Sequence, residues 1–373
     1  MNDRLPFIPH ELPPDDLNWQ ALVPLIGKAN AAIARYDGLL QSLMNPAVLL
    51  SPITTNEAVL SSRIEGTQAS LGEVLEHDAG LDTAKSPAIS EDIREISNYR
   101  KALGMAEEAL RDRQISLNFI KSLHAILMDS VRGQNKEPGQ FRKTQNWIGR
   151  KGTPIENARF VPPSPLILQE HLEKWEHFLL QDGHDPLVQL SIVHAQFEIL
   201  HPFMDGNGRI GRLLIPLFLY SRKCLNSPMF YMSEYLEAHR QEYYDSLLAI
   251  TAENDWQGWI EYFLGAVVAQ SDTNIRKARA ILGLYEDLKE QFIKTTRSQH
   301  AIPALDAFFK KPVINTVDFI QLSHIPNKVT AGALLRKLSE ADLVRILKKG
   351  RGRSPAIYVL PELVNIAEGK EVV

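Results

Sequence analysis

A single cysteine in 373 residues, Cys224, excludes an internal disulfide framework and any zinc site built from several thiolates. A lone thiol is more often a small buried hydrophobe than a nucleophile. No stretch approaches the roughly 20 apolar residues that a membrane span requires. The segment Met1–Pro9 has no basic run leading into an apolar core, so no secretion signal is expected there. Basic charge is not in excess either. The formal net charge of -4 implies no whole-chain attraction to nucleic acid. No Gly-Lys-Ser/Thr occurs after a glycine-rich stretch, which argues against a P-loop. Internal repeats and low-complexity tracts are missing as well. Length and composition together predict a cytoplasmic globular protein of two or three units.

The chain reads as mostly helical. Residues 1–15 are rich in Pro and Asp and read as extended. Apolar spacing and alanines predict a helix from Trp19 to about Leu43. Pro46 and Pro52 break the chain, and Thr55 or Asn56 is placed to cap a helix that stops near Gly66. Thr67 is a candidate cap for another, carrying Leu71, Val74 and Leu75. Helices are predicted near 90–111 and 117–129, the second capped by Ser116. Between 139 and 163 the texture changes: Phe141, Trp147, Ile148, Phe160 and Val161 alternate with polar residues around Gly149, Gly152 and Pro154, which reads as a short β-hairpin or flap. Ser164-Pro165 and Asp185-Pro186 each place a cap before a proline, a helix start signal. Further helices are expected at 210–222, 234–249, 255–291, 301–310, 316–322 and 329–341. Two apolar runs, Leu343–Leu347 and Ala356–Leu360, flank a basic turn from Lys348 to Arg353. Helices followed by a two-stranded hairpin suggest a winged-helix module.

The densest chemistry lies at 201–212, which reads His201-Pro-Phe-Met-Asp205-Gly-Asn207-Gly-Arg209-Ile-Gly-Arg212. A polar, glycine-punctuated loop feeding an apolar helix presents backbone N–H groups to a phosphate. Pro202 biases His201 away from helical angles, toward the end of the preceding helix. A neutral imidazole there can take a proton from a hydroxyl. Asp205 can ligate a hard divalent cation together with phosphate oxygens. Gly206 and Gly208 permit close approach of the backbone. Asn207 can either bond a phosphate or fix the loop. Arg209 and Arg212 are three apart on the helix, each able to grip phosphate oxygens through its planar fork. Taken singly, each residue has an ordinary account: a packed core histidine, a common Asp-Gly-Asn-Gly turn, surface ion pairs. The combination in one loop is what points to nucleotide chemistry.

This run resembles the Fic-domain signature His-x-Phe-x-Asp/Glu-Gly-Asn-Gly-Arg-x-x-Arg at every specified position, and the likeness extends from about 140 to about 220. The resemblance implies an all-α fold: a Fic helical core with a small β-hairpin flap, an N-terminal helical region and a C-terminal winged-helix domain. Boundaries are expected at 1–110, 111–291 and 292–373. It also implies a protein adenylyltransferase, moving AMP from ATP to a Tyr, Ser or Thr hydroxyl of a protein with release of pyrophosphate. In that scheme His201 is the general base and Asp205 the Mg2+ ligand. Asn207 and the backbone at Gly206 and Gly208 hold the α- and β-phosphates, Arg209 the β- and γ-phosphates, and Arg212 the γ-phosphate. The flap lies beside the site, where an incoming target can pair with its edge. Thr144, Tyr99 and Tyr243 are candidates for self-modification, and Arg142 for a structural part.

A second segment, Ser61-Ser-Arg-Ile-Glu65-Gly, places Ser61 and Glu65 on one helix face. On its own it reads as a solvated helix end. It resembles the Fic inhibitory motif Ser/Thr-x-x-x-Glu-Gly/Asn, which implies that Glu65 pairs with Arg212 and keeps it from the γ-phosphate. In some relatives the same glutamate orients a water that removes AMP, so a bifunctional or net de-AMPylating enzyme stays open. The basic C-terminal turn leaves a third alternative, a DNA-associated regulator built on the Fic core. Apolar helix faces also leave room for a homodimer.

Overall fold

The computed structural model describes residues 5–43, 45–81, 86–129, 136–149, 152, 154–352 and 354–371. Arg353, part of the predicted basic turn, lies outside the described residues. The helices run α1 (Trp19–Ser42), α2 (Pro46–Leu49), α3 (Ser51–Ile64), α4 (Leu71–Asp78), α5 (Pro87–Ala109) and α6 (Leu117–Leu127). Next come α7 (Pro165–Leu180), α8 (Pro186–Leu200), α9 (Asn207–Ser221), α10 (Ser233–Ala238), α11 (Arg240–Glu253) and α12 (Trp256–Thr296). The remainder is α13 (Ala301–Lys310), β1 (Val313–Asn315), α14 (Thr316–Ser323), α15 (Lys328–Glu340), β2 (Arg345–Lys348), β3 (Ile357–Val359) and α16 (Pro361–Glu368). Among the described residues no helix is long and apolar enough to cross a membrane.

The chain divides into two compact units. One comprises Met1–Gly38, Leu60–Gly66 and Ser97–Asp272; the other comprises Leu39–Val59, Thr67–Ile96 and Thr273–Val373. The centre of the first is α8 packed on α9. Every residue of α8 except Pro186 and Glu198 is buried, as a helix apolar all round must be. Asp185 caps it, accepting from the N–H groups of Leu187 and Val188 at 3.0 and 3.1 Å. Two indoles pin it from neighbouring helices: Trp175 donates to the Val193 carbonyl and Trp259 to the Ser191 carbonyl, both at 2.8 Å.

In the second unit β1, β3 and β2 form an antiparallel sheet in the order β1-β3-β2. Its core joins Val313, Ile357 and Val359 to Leu71, Leu75 and Ala79 of the α4 segment and to Val364 and Ala367 of α16. From α13 onward the order is helix, strand, helix, helix, strand, strand, helix.

Several local expectations need correction. Helix α3 begins at Ser51, so Thr55 and Asn56 lie inside it and not at its cap. Pro52 falls in the first turn, where its missing N–H costs nothing. Ser70, not Thr67, caps α4, through a capping box with Glu73. The flap contributes no regular hairpin among the described residues. A single antiparallel bridge joins Ile148 to Phe160, with a 3-10 turn at Ile155–Asn157 between them. Glycine and proline in the intervening stretch interrupt the ladder. The expected 234–249 helix is two, broken at His239. Strand β1 and helix α16 escaped the sequence because both are too short to show a period.

Candidate active site

His201 is the C-cap of α8 and adopts a left-handed backbone with φ of 46°. Pro202 excludes the helical alternative at the preceding residue, and the turn aims the chain back toward α9. Gly206, at φ 77°, is the residue before α9. A Cβ there would be strained by that angle and would sit 2.9 Å from Met128 Sδ, so glycine is required. The loop between them is tied at both ends. Asn207 accepts from the Phe203 N–H and donates to the Phe203 carbonyl, both at 2.8 Å. These two bonds put the side chain to use in fixing the loop, one of the two uses open to it, and leave its second N–H free for a further acceptor.

Two buried side chains absent from the sequence argument, or only noted in it, hold the same loop. His124 stacks on Phe203 with ring centroids 3.7 Å apart. Its Nδ1 accepts from the Gly139 N–H at 2.9 Å, so Nε2 carries the proton and donates to the Asp205 carbonyl at 2.9 Å. Burial pushes its pKa down to about 4, which preserves this neutral form. Arg142 donates through Nε to the His201 carbonyl at 2.9 Å and through Nη2 to the carbonyls of Pro163 and Leu200 at 2.5 and 3.3 Å. One guanidinium thereby joins the flap segment, the end of α8 and His201.

The His201 ring is set up as a proton acceptor. Nδ1 faces the Glu198 carbonyl at 3.3 Å. A carbonyl only accepts, so Nδ1 bears the proton and Nε2 keeps its lone pair. Burial lowers the pKa to about 4 and keeps the ring neutral. Asp205 has a side chain 47% exposed, with Oδ1 accepting from the Gly206 N–H at 2.6 Å and lying 3.5 Å from Arg209 Nη2. Helix α9 starts immediately after, and its N-terminus carries the partial positive charge of N–H groups without intrahelical partners.

Arg212 is held by the end of α3, through Ser61 and Glu65. Its side chain is 1% exposed, and Nη2 meets Glu65 Oε1 at 2.6 Å. Nη2 also donates to the Ser61 carbonyl at 2.9 Å and Nε to Ser61 Oγ at 3.0 Å. Burial alone would raise the Glu65 pKa. The Arg212 charge and hydrogen bond overcome that and hold it below the ordinary carboxylate value. Gly208 makes room for the pair, because a Cβ there would overlap the Glu65 carboxylate.

Behind Arg212 lies a second layer. A Cβ at Gly211 would overlap Glu198 Oε1, an atom buried without a hydrogen-bond partner. Burial pushes the Glu198 carboxyl up to about 7. His194 donates from Nδ1 to the Gly211 carbonyl at 3.1 Å and accepts at Nε2 from the Tyr243 hydroxyl at 2.9 Å. Tyr243 and Tyr99 are each 1% exposed, so neither phenol is accessible and both drop out as self-modification candidates. Thr144 is exposed and stays open.

This loop and its surroundings match a known family. A family model for the Fic/DOC family matches residues 114–219, and one for the Fic/DOC family N-terminal region matches residues 23–108. The chain contains a Fic/DOC-family domain. It is similar to a probable protein adenylyltransferase of Aquifex aeolicus (strain VF5), 24% identical over 52% of this chain and 56% of that protein. A protein adenylyltransferase of Caenorhabditis elegans is 31% identical over 28% of this chain and 19% of its own length. The chain thus spans about half or less of the curated relatives it matches. The crystal structure of a Fic family protein from Desulfovibrio desulfuricans G20 shares the fold, with a TM-score of 0.62 and 21% identity over 94% of this chain and 98% of that one.

Proposed function

We propose that this protein is an adenylyltransferase that transfers AMP from ATP to a protein hydroxyl, and that Glu65 restrains it. The observation carrying this reading is the neutral His201 ring with Nε2 free to accept, one short loop away from the N-terminus of α9. The acceptor oxygen attacks the α-phosphorus and its proton passes to Nε2. The bond from the α-phosphorus to the bridging oxygen of the β-phosphate breaks, and pyrophosphate leaves. Such transfers need positioning and charge neutralisation more than covalent help from the protein. The imidazolium formed is disfavoured by burial alone, but a triphosphate beside it supplies the opposite charge.

Asp205 is the residue that would hold Mg2+. Among the described residues no group of three or more His, Cys, Asp or Glu side chains forms a metal cage. A single half-exposed carboxylate fits an ion that would draw its other ligands from substrate, and such an ion would supply neutralising charge for the departing pyrophosphate. The α9 backbone at Gly206 and Gly208 would face the phosphates, with Asn207 acting through the loop it closes. Arg209, beside Asp205, would meet the outer phosphates, and Arg212 the terminal one once Glu65 withdraws. Residues 292–373 read best as a winged-helix module appended to this core. The test is incubation with α-labelled ATP and Mg2+. Label should attach to protein, and His201→Ala should abolish it while leaving the far-UV circular dichroism unchanged. Label persisting in that variant would mean different chemistry.

A further inference from the structure

Charge is unevenly distributed along this chain. Residues 301–373 carry eleven basic and seven acidic side chains, whereas residues 1–300 carry thirty and thirty-eight. The excess is concentrated at 328–353, where eight basic residues stand against Glu340 and Asp342 alone. This segment is α15 followed directly by the β2–β3 hairpin. Helix α14 leads into α15 through a four-residue turn at 324–327, closed by Asn327, whose side chain accepts from the Thr330 N–H at 2.9 Å. Two helices joined this way and followed by a two-stranded hairpin are the arrangement that presents the second helix to a nucleic-acid groove.

The exposed side of α15 has an unusual make-up. Ala331, Leu334, Leu335 and Leu338 are buried and anchor the helix. On the opposite side Lys328, Val329, Gly332 and Arg336 are exposed and form one stripe. Val329 is 83% exposed, a β-branched apolar side chain directed at solvent. A Cβ added at Gly332 would meet nothing within 4 Å. The stripe is therefore slender and basic at both ends, with one exposed carboxylate, Glu340, a turn beyond Arg336. Arg336 lies 3.8 Å from Glu340 with both side chains mostly exposed, an ion pair of little worth that a phosphate can displace. In the hairpin, a bulge between Ile346 and Lys348 twists β2, and a bridge from Arg351 to Ser354 closes the tip. Lys349 and Arg351 are exposed there.

We propose that α15 and the β2–β3 hairpin form a binding site for B-form duplex DNA. The stripe from Lys328 to Arg336 enters the major groove, where Val329 can contact a thymine methyl and Gly332 allows close approach to base edges. Lys348, Lys349 and Arg351 contact flanking phosphates. With four to six phosphates neutralised, the logarithm of affinity falls with the logarithm of salt at a slope of roughly -4 to -5. A duplex RNA of the same sequence is excluded, because the A-form major groove is too narrow for a helix.

The test is fluorescence anisotropy of the full chain with a mixed-sequence DNA duplex two to three helical turns long, titrated between about 50 and 200 mM salt. Binding with that salt slope is expected. Lys349→Glu with Arg351→Glu should flatten the slope by about two. Gly332→Glu should weaken binding at least about tenfold by blocking the groove, with unchanged circular dichroism because the side chain projects into open space. ATP-dependent labelling should be untouched, so failure here is distinguishable from failure of the adenylyltransferase reading. No binding at the lowest salt, equal binding by Gly332→Glu, or equal binding of duplex RNA would overturn the proposal. Loss of a co-purifying protein from Gly332→Glu without any DNA binding would also overturn it, in favour of protein docking.

Discussion

Replacing Glu65 by glycine should do two opposite things. In the wild type Arg212 is buried and has three contacts: the Glu65 carboxylate at 2.6 Å, the Ser61 carbonyl at 2.9 Å and the Ser61 hydroxyl at 3.0 Å. The variant keeps the two Ser61 contacts and loses the anion. A hydrogen bond to a charged group is worth about 1.5–3 kcal/mol. The Glu65 side chain is 37% exposed, so solvent screening places the pair at the lower end, about 1.5 kcal/mol. Without nucleotide the variant should therefore melt lower than wild type. With ATP and Mg2+ the order should reverse, because the guanidinium no longer has to exchange one anion for another. The same figure converts to about tenfold tighter ATP binding.

The gain in rate should exceed the gain in affinity. A γ-phosphate that cannot reach Arg212 leaves the triphosphate shifted, and a displacement of about 1 Å at the reacting atoms costs on the order of 100-fold. Calorimetric titration with ATP, thermal melts with and without nucleotide, and initial rates of labelling separate the three effects. Glu65→Gln should fall between, since the amide is neutral but still occupies the space. If the variant melts lower yet neither binds ATP more tightly nor labels faster, Glu65 is a structural partner of Arg212 and the restraint is refuted.

Three further outcomes follow from the site. His124, His194 and His201 are held neutral by burial, with pKa values near 4, 3 and 4 against an ordinary 6.5. The unfolded chain binds these protons first, so their contribution is complete above about pH 6.5 and is lost as pH falls toward 4. Glu198, raised to about 7, works in the opposite sense, giving stability at low pH that is lost as pH rises through 7. Three groups against one leave stability rising with pH by roughly 2–3 kcal/mol per unit near pH 5.5, and denaturant midpoints measured from pH 7 to 5 should fall accordingly. Arg142→Lys replaces a fork that reaches three carbonyls with a single ammonium, so labelling should slow by about 10- to 100-fold. ATP affinity should hold, which a kcat against KM comparison would show. Asn207→Ala removes two buried hydrogen bonds to Phe203 and should cost about 2 kcal/mol of stability, read by chemical denaturation. An unchanged midpoint would mean the loop closes without it.

The parts of this molecule that were legible in the sequence are those whose signal is local. Caps at Ser116, Ser164 and Asp185 and the apolar spacing of α6 and α7 depend on residues within a turn or two of each other, and α6, α7 and α8 begin where the caps stand. The 201–212 run stood out for the same reason: its histidine, carboxylate, glycines and arginines lie within twelve positions, spanning the end of α8, a short turn and the start of α9. The pairing of Arg212 with Glu65, 147 positions away, was reached only through a motif resemblance, because no local rule links the two.

What stayed hidden were side chains whose chemistry depends on partners from elsewhere. His124 sits on the apolar face of α6, where spacing alone marks it as ordinary core. Its function as a clamp needs Gly139 on one nitrogen and the Asp205 carbonyl on the other, neither of which spacing can supply. Glu198 is the plainest case. In sequence it is a charged residue on a helix, which predicts a solvated position. Its Oε1 is instead buried without a hydrogen-bond partner, and Gly211 on the facing helix leaves the space the carboxylate fills. Gly211, to which the signature gives no part, thus serves the packing of α8 on α9. A Gly211→Ala substitution should displace Glu198 and disturb the packing of α8 on α9 before it touches any residue proposed to meet the nucleotide.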